Sequence, residues 1–286
     1  MHDASTRRML GIASHAALVP LATVTMLPLL WLVLASFKTA EDFAGSVFLP
    51  TDPDSGAIDL TRFTIANYAR LFTEVGLGRA MINSVFLAST TAILATLCSA
   101  AGGYALARFK FKGRGTATLL VLAAIIIPPP LLLAPSYQLL FHLGLLDTFT
   151  GLIVPATAPA FGIFLFRQAT RQSVPESLIE AARIDGASEG RIFLSLVLPL
   201  VRPMIGAFML LTFLAVWNNF ITPQVVMQTP ERYPLSVTVA QMRGLHRQDY
   251  GLLMAGTLVS VLPVAGLFLM LQREFIQGLT SGAVKG

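Results

Sequence analysis

Seven uncharged polar side chains interrupt the most apolar stretches of this 286-residue chain: Asn83, Tyr137, Gln138, Trp217, Asn218, Asn219 and Gln224. Neighbouring Ser and Thr have a simple explanation in close helix packing, whereas amides are costly to bury in lipid without partners. Amides, hydroxyls and an indole along one path suit an uncharged, polyhydroxylated solute. The same stretches hold no Asp, Glu, Lys or Arg, and their only histidines, His15 and His142, fall near span ends and read as interfacial. Proton- or ion-coupled carriers keep ionisable groups at membrane depth, so a carrier driven by its own ion gradient is disfavoured. None of the four lysines follows a glycine, which excludes a phosphate-cradling Gly-Lys-Ser/Thr loop. If transport is active, a partner hydrolyses the nucleotide. The single Cys98 rules out a disulfide framework or a cysteine-rich metal site, reads as an inert packing residue, and leaves no metal or cofactor to assign to the chain.

These residues must be positioned by membrane helices. Only 35 residues are charged, and they leave six charge-free windows, 9 to 37, 80 to 107, 115 to 146, 148 to 166, 203 to 230 and 250 to 272, covering 159 residues. A helix crossing a bilayer needs roughly 20 apolar residues. The windows therefore predict an all-α polytopic protein, a single domain over 1–286 with spans at about 11–37, 81–107, 116–142, 148–166, 204–228 and 251–272. The first apolar run, 29 residues long, exceeds a signal-peptide core and reads as an uncleaved span. Pro128, Pro129 and Pro130 must break the third span, because proline removes a backbone donor and clashes with the preceding turn. Residues 115–127 rise only about 20 Å, so 131–141 must complete the crossing. Pro155, Pro159 and Pro223 suggest further breaks.

Basic residues number 13 on one side of the alternating loops and 7 on the other, which places both termini in the cytoplasm. The net charge of +5 follows from this asymmetry and does not call for nucleic acid as a partner. Residues 38–79, with six acids, become the largest external segment, and Tyr68, Leu71, Phe72 and Val75 predict a short helix lying on the outer membrane surface.

The longest cytoplasmic segment, 167–202, contains Ser173-Val-Pro-Glu-Ser-Leu-Ile-Glu-Ala-Ala-Arg-Ile-Asp-Gly-Ala-Ser188. Ser173 and Glu176 fit a capping box, Gly186 offers a left-handed stop, and Ser188 can cap a second helix running to Leu198-Pro199. Leu178, Ala181 and Ala182 give the first helix a small apolar face. At about ten residues it is too short to persist alone in water, so something must pack on it. A lipid surface and a partner protein serve equally well.

Glu180-Ala-Ala-Arg-Ile-Asp-Gly186, followed by Leu198-Pro199, resembles the EAA loop of ABC importer permeases, and its Ile-Asp-Gly-Ala-Ser form resembles the carbohydrate branch. Phe63-Thr-Ile-Ala-Asn-Tyr68, Asn83-Ser84, Tyr104-Ala-Leu-Ala-Arg-Phe109, Gly144-Leu-Leu146, Trp217-Asn218 and the ending Gly278-Leu-Thr-Ser-Gly-Ala-Val-Lys-Gly286 are similar, in the same order, to the maltose-permease G-type subunit. Asn219 departs from the acidic or other residue often found there. The resemblance implies the type I (MetI-like) permease fold. It also implies that 167–202 carries a coupling helix seated in a cytoplasmic ATPase, with Glu180, Ala181, Ala182 and Gly186 forming the seat. Glu176, Arg183 and Asp185 complete the set, the last two pairing locally or facing water. Residues 273–286 would form a tail, with Gln277, Gly278 and Lys285 approaching the ATPase. Implied partners are a homologous second permease, two ATP-binding subunits that hold ATP and Mg, an extracytoplasmic solute-binding protein and membrane lipid, all at a bacterial inner membrane.

The expected function is therefore a non-catalytic permease subunit of an ATP-driven importer for a sugar, oligosaccharide or polyol. Three rivals remain: a permease of the same fold for another solute such as a glycerophosphodiester, an ATP-independent channel or carrier, and a purely structural membrane protein.

Overall fold

The computed structural model describes residues 2–242 and 249–280, with side chains described for 14–16, 18–242, 249–270 and 272. Helix α1 (His2–Ser36) opens the chain, followed by α2 (Ala40–Gly45), α3 (Ala66–Thr73) and α4 (Leu77–Arg108). Helix α5 (Arg114–Ile126), a 3-10 turn at Pro129–Leu132, α6 (Leu133–His142), α7 (Phe149–Ala156) and α8 (Ala160–Ser173) come next. Beyond them lie α9 (Glu176–Ile184), α10 (Glu189–Ile192), a π-helical turn at Phe193–Val197 and α11 (Leu198–Leu200). The chain continues through α12 (Arg202–Trp217), α13 (Ile221–Val226), α14 (Leu235–Gln241) and α15 (Tyr250–Thr280).

Ser14–Ser36, α4 and Tyr250–Met270 are each long and apolar enough to cross a membrane alone. Reaching six crossings requires three bent pairs to act as spans: α5 with Pro129–His142 at 100°, α7 with α8 at 41°, and Glu189–Leu200 with α12 at 82°. The prolines cause two of these breaks. Pro128 lies extended at φ −63°, ψ 127°, and Pro159, at φ −67°, ψ 130°, starts α8 afresh.

The expected fifth span, 204–228, is not one helix. The Asn218 amide donates to Leu214 O at 2.9 Å, and Asn219 Oδ1 accepts from Thr222 N at 3.2 Å, so the two side chains close α12 and open α13. Helix α8 continues past the expected end at 166, and α15 runs through most of the expected tail. Gln277 and Gly278 belong to its last turns, while Lys285 lies outside the described residues.

The chain divides into two compact units. The first comprises Met1–Leu77 with Val239–Val261. Its polar centre is Asn67, whose amide donates to Ser36 O at 2.9 Å and Lys38 O at 2.8 Å. The expected short helix is α3, which packs into this unit through fully buried Leu71 and leaves Phe72 exposed; Val75 falls beyond its end. Arg70 pairs with Asp249 at 2.6 Å and so fixes the start of α15.

The second unit comprises Gly78–Thr238 with Leu262–Gly286. Helix α4 faces its core with Ala88, Thr91, Ala92, Ala95, Ser99 and Ala100, a helical stripe of small side chains that lets backbones approach closely. Cys98 lies off that stripe beside Leu94 and Leu97 and is exposed, contrary to the packing role expected of it. At Gly103 the approach is backbone to backbone: an added Cβ would stand 2.6 Å from Arg167 N on α8. Backbone cannot yield as a flexible side chain can. Gly103→Ala is therefore expected to destabilise the solubilised protein by about 1–3 kcal/mol in thermal unfolding, whereas Gly115→Ala, with no neighbour in reach, leaves it unchanged or slightly more stable.

Candidate functional site

The segment between α8 and α12 carries the Glu180–Gly186 motif read from the sequence. Ser173 is the last residue of α8 and does not cap α9. The N-cap is Pro175, without a side-chain bond, so the expected capping box is absent. What holds the start of α9 comes from α4: the Arg108 guanidinium donates to Val174 O and to Thr170 O, and lies 3.6 Å from the Glu176 carboxylate. Gly186 ends α9 at φ +75°, the left-handed conformation expected of it. Ser188 Oγ caps α10 by accepting from Arg191 N at 3.4 Å.

Helix α9 has two unlike faces. Ile179, 1 % exposed, enters a core shared with Ala95, Tyr104, Phe166, Ile192, Val197 and Phe208, and Ala182 packs beside it. The support that so short a helix needs is thus supplied by its own unit. Facing away are Leu178, Glu180, Ala181, Asp185 and, at 86 % exposure, Ile184. Beside its C-terminal end, Ala182, Asp185, Gly186, Ala187, Arg191, Ile192, Ser195 and Leu196 line a cleft of about 310 Å³. Arg183 turns to Glu189, 2.7 Å away, and the other Glu189 oxygen accepts from the Tyr104 hydroxyl at 2.8 Å.

A protein-family model, described as binding-protein-dependent transport system inner membrane component, matches residues 98–277, spanning this whole segment. The chain belongs to that family. The permease is 38 % identical over 268 residues to the arabinooligosaccharides transport system permease protein of Halalkalibacterium halodurans, covering 93 % of each chain. It is 31 % identical over 285 residues to the diacetylchitobiose uptake system permease protein of Streptomyces coelicolor, covering 99 % of this chain and 91 % of that one. A crystal structure of a bacterial ABC transporter that imports the acidic polysaccharide alginate contains a chain of the same fold, with TM-score 0.80 at 21 % identity, covering 96 % of this permease and 99 % of that chain. The fold is that of ABC importer permeases, and the permease is a multi-pass inner-membrane transport component.

Of the polar residues singled out as a solute path, Asn83, Trp217 and Asn219 are held by the fold, and Asn218 is exposed but bonded to Leu214 O. Trp217 is buried, stacked on Phe213 with centroids 5.6 Å apart. The Asn83 amide donates to Glu231 O at 3.0 Å and Tyr233 O at 3.1 Å. Asn219 supports both ends of a turn, its carbonyl accepting from Ser236 Oγ at 2.8 Å. Asn218, Gln224 and Gln138 are exposed and Tyr137 is half-buried. Helix α13, carrying Gln224, packs on α6, carrying Tyr137 and Gln138, which brings these three residues onto neighbouring elements. Among the described residues, no three His, Cys, Asp or Glu side chains meet in an arrangement able to hold a metal ion.

Three features escaped the sequence reading: the exposure of Ile184, the Tyr104–Glu189–Arg183 contact, and Asp147. The last adopts φ +56° in the permease. Its Oδ1 accepts from Gln228 N at 2.9 Å and Thr229 N at 3.0 Å, and its Oδ2 from the Thr229 hydroxyl and from Arg232 at 3.1 Å. Its signal in the sequence was its position as the lone charge between two apolar windows. The Thr229 hydroxyl first, then the two amides and Arg232, hold its carboxyl at about 2, below the usual 3.8. A pKa lower in the folded than in the unfolded state contributes stability that is complete above roughly pH 4 and disappears as pH falls through about 2. The melting-temperature difference between wild type and Asp147→Asn is thus expected to be constant above about pH 4 and to shrink towards zero near pH 2.

Proposed function

We propose that the permease carries a carbohydrate, of the oligosaccharide or related polyol class, into the cytoplasm as the passive half of an ATP-driven importer. The observation that carries this reading is the two-faced helix α9. Ile179 anchors it in its own core, while Leu178, Glu180, Ala181, Asp185 and Ile184 form an outer surface with no intramolecular use for its exposed isoleucine. Such a surface fits a coupling helix entering a cleft of a cytoplasmic ATPase. Small Ala181 and Ala182 permit close approach, Glu180 can accept a donor, and Gly186 allows the turn; Glu176 and Arg183 hold the helix to its own unit.

Two ATP-binding subunits, holding ATP and Mg, would close on ATP binding, rock this permease against a homologous second permease and open their path to a loaded solute-binding protein. Gln277 and Gly278, with Lys285 beyond the described residues, are candidates for a further contact with the ATPase. The excess of basic residues on alternate loops supports cytoplasmic termini. The solute class is supported by the names of the relatives and by the exposed neutral amides Gln138, Asn218 and Gln224, with Asn83, Tyr137, Trp217 and Asn219 shaping the path around them.

The reading is tested by uptake in proteoliposomes holding the complete transporter and its cognate binding protein, challenged with radiolabelled sugars, glycerophosphodiesters and amino acids. Uptake confined to oligosaccharides or polyols is expected. Selective uptake of a charged glycerophosphodiester overturns the carbohydrate assignment and leaves the coupling assignment standing.

A further inference from the structure

A coupling helix does useful work only if its displacement reaches the membrane-spanning part of the chain. Close-packed side chains transmit a push, but the hydrophobic effect is non-directional and does not by itself tie one helix to a fixed point on another. Ile179 and Ala182 give α9 that kind of contact. Polar contacts differ in kind, and α9 has one at each end: Arg108 of α4 holds its start, and a carboxylate beyond its C-terminal end holds the other. Glu189, the first residue of α10, places one carboxylate oxygen 2.7 Å from Arg183 Nε on α9 and the other 2.8 Å from the Tyr104 hydroxyl on α4. Three elements therefore meet at one carboxylate.

The anchor on α4 is rigid. Tyr104 is 3 % exposed, stacked on Phe193 at 5.8 Å and set edge-on to Phe109 at 5.3 Å. Phe193 opens the π-helical turn that leads into α11 and the 82° bend before α12, so the ring is held by the same segment that carries α10. Arg183 and Glu189 are 41 % and 43 % exposed, and an ion pair that accessible adds little to stability. Its geometry, with a buried phenol at the far end, is better suited to fixing a distance than to holding the fold together.

We propose that Glu189 is a positioning residue of the transport cycle, linking α9 to α4 through Arg183 and Tyr104, so that displacement of the coupling helix moves the cytoplasmic end of α4 with it. Its role is to transmit motion; it touches neither solute nor nucleotide. The proposal rests on the coupling role given to α9 above.

The test uses the complete transporter in proteoliposomes, with a labelled arabino-oligosaccharide as probe and with ATP hydrolysis and uptake measured in the same vesicles. Glu189→Gln keeps shape but loses the charge, and Tyr104→Phe removes one oxygen from a ring that stays packed. Both are expected to hydrolyse ATP within about twofold of wild type, while oligosaccharide moved per ATP falls about fivefold or more in Glu189→Gln and less in Tyr104→Phe. The exchanged pair Arg183→Glu with Glu189→Arg restores opposite charges and leaves a donor for the Tyr104 oxygen; it is expected to recover most of the ratio. Hydrolysis and uptake falling in equal proportion, or an unchanged ratio in both variants, overturns the proposal. Should Glu189→Gln fail to assemble, Tyr104→Phe decides by the same ratio. If the wild-type complex hydrolyses ATP but moves no oligosaccharide, the carbohydrate reading fails first, and the positioning role is judged with the solute that the complex does carry.

Discussion

Replacing Ile184 by Asp is expected to lower uptake by about a hundredfold or more while the protein still reaches the membrane at wild-type level. At 86 % exposure this side chain contributes almost nothing to the fold, so its loss costs no packing energy. A carboxylate at the centre of an interface, by contrast, must be desolvated without a partner, and changes of that kind produce the largest binding losses. Ile179→Asp makes the counterpart: five residues earlier and 1 % exposed, it buries the charge in the core and is expected to remove the protein itself. Gly186→Asp and Glu180→Lys should resemble Ile184→Asp, the first because φ +75° disfavours a side chain and the second because it inverts the charge on the proposed docking face. Uptake assays paired with immunoblots of the membrane fraction separate the two patterns. Normal uptake in Ile184→Asp would remove the outer face of α9 from the docking surface.

Asp147→Ala is the second large expectation. Its carboxylate satisfies two backbone amides, a hydroxyl and one guanidinium of the segment 228–232. The guanidinium is 48 % exposed, and losing that pair alone, as in Arg232→Ala, is expected to cost no more than about 1 kcal/mol. The amides and hydroxyl matter more, because removing their shared acceptor leaves several donors without a partner at once. With partial access of water taken into account, Asp147→Ala is expected to cost about 1–3 kcal/mol, a fall of several degrees in melting temperature for a chain of this size. Scanning calorimetry of the solubilised protein at neutral pH checks the order: Asp147→Ala well below Arg232→Ala, and Arg232→Ala close to wild type. The reverse order would mean that the ion pair, not the capping, holds this loop.

Which features were legible in advance follows from their physics. Charge-free windows mark apolar helices because a charge at membrane depth is costly, so six candidate spans can be read from composition, while the bends that divide three of them cannot. Gly186 and Ser188 were legible because helix ends have local chemical requirements. The capping box failed for a non-local reason. Ser173 has the right spacing to Glu176, but α8 extends through it, and Arg108 from α4 takes over the work of holding α9. The break at Asn218 and Asn219 was hidden because the same amides that suggest a solute path also close and open helices. Likewise, Leu178, Ala181 and Ala182 read as one apolar face, whereas the chain buries Ile179 with Ala182 and leaves Leu178 outside, a choice made by the packing of α4, α8 and α10. Pairings across the chain, such as Tyr104 with Glu189 and Asp147 with Thr229, are separated by more than 80 residues and have no local signature.

The most direct test of a passive path driven from outside compares three sets of proteoliposomes: the permease alone, the permease with its partner permease and ATPase, and the same complex carrying Ile184→Asp, each with the loaded binding protein outside and ATP within. Uptake is expected only in the complete wild-type complex and only with ATP. Solute entry through the permease alone, unaffected by ATP and equal in the Ile184→Asp complex, would contradict the assignment and identify a self-sufficient channel or carrier instead.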